Sequence, residues 1–345
     1  MTDRETKLER IAAILDRHDA QAILLTTGEN LAWLFDGARV AVPYGGAPVF
    51  NAVIGRDGRA TVNVFANELD RVAAEEVDDV EFRSIPWHET LPTEGGLLDT
   101  DVAAELRAAR ASLLPGERAR YAELGADTAK AVTAALREAT SGETERSLAA
   151  RLACAVVGIG AEPVVMLVAG SSRLHHRHPL PTLAPLGMNT MVAVGARRHG
   201  LVASLTRWIS FTGAHDPNAR TLYEVEADAF AATVPGRELR DVLADIAMSY
   251  EHHGLGADTW LGHHQGGPTG YLGRDPRATP TARELVVAGQ AFAWNPSIRG
   301  GKVEDTVIVD EGGIDVLTVD PDWPTIDVRG IPRPLPLTLD NQGAK

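Results

Sequence analysis

The stretch that most restricts how this chain folds is residues 191–213, MVAVGARRHGLVASLTRWISFTG. Apolar and β-branched residues fill 191–196 and 201–211, so both segments read as strands. Arg198, His199 and Gly200 form a polar turn whose glycine is free to take positive φ. The result is a hairpin near the middle of a large domain. It contains no Asp, Glu or Cys, and its only histidine lies at the turn.

The segments around the hairpin repeat a pattern. Before it, helical periodicity runs through 118–139, with Tyr121, Leu124, Thr128 and Val132 on one face, and through 144–158, with Leu148, Leu152 and Ala155. A short apolar strand follows at 164–168. After the hairpin come helices at 219–234 and 238–252, the second striped by Leu239, Val242, Leu243, Ile246 and Tyr250, then strands at 290–294, 303–309 and 314–317. Two helices and a set of strands, twice over, point to an internal pseudo-repeat. A Pro-rich tail occupies 321–336.

Upstream, residues 1–96 read as a small mixed α/β domain. It has a helix carrying Leu8, Ile11 and Leu15, a strand at 22–25, a brief helix opened by Thr27, a hairpin turning at Asp57-Gly58, a helix at 67–77 and a strand at 80–85. A helical linker at 100–115 closes it, punctuated by Pro115-Gly116. At 345 residues, two domains are the expectation.

The net charge of -14 argues against nucleic acid or an anionic membrane surface as partner, because both need a basic face. The N-terminus is charged and lacks the apolar centre of a signal peptide, and no apolar run is long enough to span a bilayer. Cys154, the single cysteine, sits in an apolar helical pattern and is read as core packing. A soluble cytoplasmic protein is expected.

Polar chemistry concentrates in three places. Five of the eleven histidines fall in two runs, Leu174-His175-His176-Arg177-His178-Pro179 and Gly262-His263-His264-Gln265-Gly266-Gly267. If the first run is extended, His176 and His178 share one face, as metal ligands, an acid/base pair or anion binders. The third cluster runs from Trp294-Asn295-Pro296 to Lys302-Val303-Glu304-Asp305-Thr306, where Lys302 and Glu304 have the spacing that puts both on one side of a strand.

Taken together, these clusters resemble the creatinase, prolidase and aminopeptidase P group, the M24-type peptidases with the pita-bread fold. The group's motifs occur here in its order, as His176, Ala203-Ser204-Leu205-Thr206-Arg207, Gly262-His263, Asn295-Pro296 and Lys302 to Thr306. The segment from Thr27 to Leu34 is similar to the group's smaller domain. The resemblance implies an α/β (α+β) fold, with a creatinase/prolidase-like N-terminal domain over residues 1–112 and a pita-bread catalytic domain over 113–345. It also implies a homodimer.

The metallopeptidases of this group hold two divalent ions with two Asp, one His and two Glu. The matching positions here are Ala193, Ser204, His263, Asn295 and Glu304, so three of four carboxylates are gone. Ala193 offers no donor, and Ser204 and Asn295 offer neutral oxygens too poor to hold two repelling dications. The leading expectation is therefore a metal-independent, creatinase-like hydrolase of a C–N bond in a small, polar, carboxylate-bearing substrate, with no cofactor. His176 is its acid/base and Glu304 its second catalytic residue. His178, Ser204, Arg207, His263, His264, Asn295 and Lys302 are expected to contact substrate. Two alternatives stand beside it: a metal-dependent Xaa-Pro aminopeptidase or dipeptidase, and a catalytically silent pita-bread binding protein. A single divalent ion on His263 and Glu304 is the variant cofactor reading.

Overall fold

The structure, a computed structural model, describes residues 2–213 and 217–340; His215, given no role by the sequence, lies outside them. The chain divides into two compact units, residues 1–120 with 198–201, and residues 121–197 with 202–345.

The first unit is built on a five-stranded sheet. Its strands are β1 (Ala22–Leu25), β2 (Phe50–Gly55), β3 (Ala60–Phe65), β4 (Glu81–Ile85) and β5 (Leu97–Leu98), in the order β4-β3-β2-β1-β5. Helix α1 (Asp3–Arg17) starts with a capping box between Thr2 and Glu5. The brief helix α2 (Gly28–Leu34) is held by one buried acid: Asp99 accepts hydrogen bonds from the backbone and hydroxyl groups of Thr26 and Thr27 and from Asn30 Nδ2. The expected helix at 67–77 is a single turn, α3 (Leu69–Arg71), that widens into a π-helical turn over Val72–Glu76, and α4 (Ala103–Ala111) forms the linker.

The second unit contains the pseudo-repeat, in three dimensions. Helices α5 (Pro115–Arg137) and α6 (Glu145–Gly158) precede strands β6 (Glu162–Ala169), β7 (Asn189–Arg198) and β8 (Leu201–Ser210), which neighbour one another as β8-β7-β6. Helices α7 (Pro217–Ala232) and α8 (Leu239–His252) precede β9 (Gly266–Thr269), β10 (Gln290–Trp294), the short β11 (Ser297–Ile298) and β12 (Gly301–Lys302), and β13 (Asp305–Asp310), with spatial order β13-β10-β9. Even the stray bridges correspond. Thr144 pairs with Pro185 ahead of β7, and Glu238 pairs with Leu285 ahead of β10.

Local chemistry explains these elements. His199 and Gly200 both take positive φ, 51° and 74°, as a two-residue turn between long twisted strands requires. All five apolar residues of the α8 stripe are buried, each contributing roughly 2 kcal/mol as an upper estimate. They pack on Phe292, Trp294, Val307 and Val309 of β10 and β13. Cys154 corrects the core-packing expectation: it is exposed, while Leu148, Leu152 and Val156 form the buried stripe of α6. The Pro-rich tail is also structured. After β14 (Gly313–Val316) it forms the hairpin β15 (Thr325–Val328) and β16 (Ile331–Pro334), and β17 (Leu337–Thr338) joins β8 in parallel.

Candidate active site

The site is built within the second unit, where the strands of the two half-repeats meet. Thr306 of β13 bonds both backbone groups of Ser204, with N–H to Oγ1 at 2.7 Å and Oγ1 to O at 3.0 Å, and Thr206 N–H donates to Glu304 O at 2.9 Å. These bonds set Glu304, just ahead of β13, against β8.

The second histidine run lies in the turn before β9. Gln265 fixes it by donating to His263 O at 2.6 Å and Trp260 O at 2.9 Å while accepting from Tyr250 Oη at 2.8 Å. His263 and His264 stack with ring centroids 4.2 Å apart, and the Nδ1 of each is buried without a hydrogen-bond partner among the described residues.

The first run lies on the loop between β6 and β7. Glu145, the first residue of α6 and fully buried, anchors that loop. It accepts from Gly170 N at 2.9 Å, Thr182 N at 2.9 Å and Thr182 Oγ1 at 2.7 Å, and it pairs with Arg173. Burial opposes its charge, but the Gly170 and Thr182 donors outweigh that and hold its carboxyl below the usual range.

The loop is not the extended strand that the His176/His178 alternation assumes. A tight turn at Ser171–Arg173 leads into bends, and His176 N–H closes on Arg173 O. His176 consequently lies against its neighbour His175, ring centroids 4.0 Å apart and tilted by 42°, and is exposed. It is His178 that meets the second run: its Nε2 lies 3.0 Å from His263 Nε2, and the ligand atoms of His178, His263 and His264 all fall within 4.8 Å of one another.

Burial depresses the basicity of all three imidazoles, reinforced by nearby cations including Lys302 and, for His263 and His264, by a neighbouring imidazole. His263 titrates at about 4 and His264 at about 3, so both are neutral at pH 7, and His178 is also lowered.

Glu304 sits beside them, 5% exposed, with both oxygens engaged. Arg274 Nη2 is 2.6 Å from Oε1 and Lys302 Nζ is 2.8 Å from Oε2. Burial works against its ionised form, but these two cations prevail and bring its pKa down to about 2. The period-two spacing of Lys302 and Glu304 thus produces an ion pair, and Arg274 completes it.

The remaining predicted residues separate. Ser204 and Asn295 are buried near these groups in the fold, and Asn295 Oδ1 has no donor among the described residues. Ala193 is packed in β7 opposite Leu167. Arg207 is not turned to a substrate: its guanidinium is held by Asp305 Oδ1 at 2.9 Å and Thr318 O at 2.6 Å, because β8 and the tail bury it.

Sequence reasoning missed Arg274, Glu145 and Gln265. Arg274 stands in an aperiodic loop, Glu145 looks like any acid in a first helical turn, and Gln265 acts through backbone carbonyls that no pattern marks.

The sequence profile of a family described as Metallopeptidase family M24 matches residues 119–311. A Xaa-Pro dipeptidase of Pyrococcus furiosus is 27% identical over 208 residues, covering 55% of this chain and 58% of that protein, so the chain spans little more than half of that relative's length. Dipeptidase PepE from Mycobacterium ulcerans superposes with a TM-score of 0.74 at 21% identity, covering 92% of this chain and 96% of that one. The prolidase from Pyrococcus horikoshii OT3 gives 0.71 at 19%, covering 91% and 98%. The fold is that of the pita-bread peptidases.

These matches correct two expectations. The metal-independent, creatinase-like hydrolase gives way, because the matched family is one of metallopeptidases and the relatives are dipeptidases. The expected absence of a cofactor gives way with it, since three imidazoles converge where nitrogen donors can take an ion. The form of the centre differs from what the resemblance implies. Two dications need bridging carboxylates, yet the positions that should supply them hold Ala193, Ser204 and Asn295, and both oxygens of Glu304 are bound by cations. The dinuclear set does not fit this chain. The single ion on His263 and Glu304 fails for the same reason: it would have to displace Lys302 or Arg274.

Proposed function

The chain belongs to metallopeptidase family M24, and from that premise we propose that it hydrolyses dipeptides of the Xaa-Pro class with a divalent cation as cofactor. The observation that carries the reading is the convergence of His178, His263 and His264 beside the Lys302–Glu304–Arg274 ion pair, inside the segment that matches the family. A bound cation in such a peptidase polarises the scissile carbonyl and acidifies water.

The chain's own residues supply the rest of the reading. Lys302 and Arg274 form a cationic wall that attracts a dipeptide's C-terminal carboxylate, moderated by Glu304 between them. Asn295 Oδ1, buried without a donor, accepts an N–H of the substrate. Proton transfer falls to His176, exposed on the loop that carries His178.

The test is release of proline from Gly-Pro and Ala-Pro by protein supplied with zinc or manganese. Turnover is expected, with kcat/KM about tenfold or more above that for the matching Xaa-Ala dipeptide. Failure of folded, metal-supplied protein to cleave any dipeptide contradicts the reading. It would favour the alternative of a binding protein without catalysis, for which the loss of three carboxylates speaks.

A homodimer belongs to the same proposal, by resemblance to the family. Light scattering at low micromolar concentration is expected to give twice the 36.8 kDa chain mass, and a monomer would remove the dimer.

A further inference from the structure

We infer that His178, His263 and His264 form a mononuclear site for a zinc-class divalent cation, in place of the carboxylate-bridged pair of ions. The inference rests on the peptidase reading for the ion's role in catalysis; the ion's binding stands on the geometry alone.

Three features carry it. The donors come from two segments far apart in sequence, each fixed independently of the other: the first by Glu145, the second by Gln265 and Tyr250. The donor set is all nitrogen, which suits zinc and cobalt and disfavours magnesium or calcium. The spacing is also close to what one ion requires. At the tetrahedral angle, two zinc–nitrogen bonds of about 2.1 Å place their nitrogens about 3.4 Å apart. The Nε2 atoms of His178 and His263, 3.0 Å apart, would open by about 0.4 Å, and a pair at the 4.8 Å limit of the cluster would close by about 1.4 Å through side-chain rotation.

The Nδ1 atoms of His263 and His264 are buried without a hydrogen-bond partner among the described residues, so no other group competes for them. His178 is exposed, so the ion would keep an open side toward solvent, as in catalytic rather than closed structural sites. Glu304 pairs with Lys302 and Arg274 and offsets one of their two positive charges. The excess positive charge that remains limits affinity without blocking the site.

The test is zinc titration of chelator-treated, full-length protein by calorimetry, with cobalt as a spectroscopic probe. The expected result is one zinc per chain with a Kd of about ten micromolar or tighter, and visible d–d bands of a low-coordinate cobalt complex. Second-shell changes alone weaken metal sites by 10–100-fold, so removing a ligand in His178→Ala, His263→Ala or His264→Ala should weaken zinc by about 100-fold or more. His178→Ala alters an exposed side chain and should stay folded by circular dichroism. Ser204→Ala and Asn295→Ala should bind zinc as the parent does.

Two ions per chain, zinc binding retained in all three histidine variants, or no binding at all overturns the inference. Zinc binding without cleavage of any dipeptide leaves the site standing and removes the proposed substrate; cleavage without zinc binding does the reverse.

Discussion

Replacing Glu145 with alanine is expected to lower turnover of a dipeptide about 100-fold while the chain remains folded, although Glu145 lies at the start of α6 and not in the histidine cluster. Its carboxylate receives two backbone N–H groups, the Thr182 hydroxyl and Arg173, and these donors tie down both ends of the loop that carries His178. Without it, donors lose their acceptor in a buried place, each at about 1–3 kcal/mol before water or rearrangement compensates. The loop then relaxes, and a shift of about 1 Å in a positioned group is enough for a 100-fold loss of rate.

Glu145 is thus a positioning residue, and the test needs more than activity. Glu145→Gln keeps an acceptor for Gly170 or Thr182 and should recover much of kcat. Zinc affinity should fall with kcat in Glu145→Ala, because His178 is displaced. A lowered Tm with kcat and zinc affinity unchanged would mean that the anchor serves stability only.

The second large effect is expected at Glu304→Gln. The substitution preserves shape but leaves Lys302 and Arg274 facing each other across a buried neutral amide. Breaking a buried pair by removing one partner costs about 3–5 kcal/mol. The depressed pKa gives an independent figure: a carboxyl brought from 4.5 to about 2 on folding contributes on the order of 3 kcal/mol. A Tm drop of roughly 5–10 °C should follow.

The pH dependence has a definite sign. Because the folded pKa lies below the unfolded one, this stabilisation is complete above about pH 4.5 and disappears as pH falls toward about 2. Glu304→Gln should therefore be less stable than the parent at pH 7 and close to it at pH 2. Lys302→Met combined with Glu304→Gln should cost less than the sum of the single changes. Equal destabilisation at pH 7 and pH 2 would show that the charge of Glu304 is not what matters.

The fold was legible because its signals are periodic. The α8 stripe, the Asp57-Gly58 and His199-Gly200 turns and the long apolar strands each state their structure locally, and the pseudo-repeat follows from their order. What failed were the places where a neighbour distant in sequence decides. Cys154 sits in an apolar helix but faces outward. The run from His175 to His178 invites an extended reading, yet Glu145 and the turn at Ser171–Arg173 bend it, so that His178 rather than His176 meets His263. Arg207 reads as a substrate arginine until the tail supplies Thr318 and strand β13 supplies Asp305.

The chemistry was legible only in part, for a similar reason. Ala193, Ser204 and Asn295 announce that a dinuclear carboxylate centre is missing, and the leading sequence reading took that loss as loss of metal, keeping metal use only as an alternative. Three imidazoles from two runs 85 residues apart, brought to 3.0 Å at the closest pair, were visible as residues but not as a cluster. Only the fold turns them into a donor set.

The central claim, a peptidase of this family whose centre has moved from carboxylates to histidines, is tested most directly by adding zinc back to chelator-treated protein while following cleavage of Ala-Pro. The account predicts activity that is absent without metal and rises to a plateau at one zinc per chain. A plateau at two ions per chain, or full activity in the metal-free protein, would contradict it.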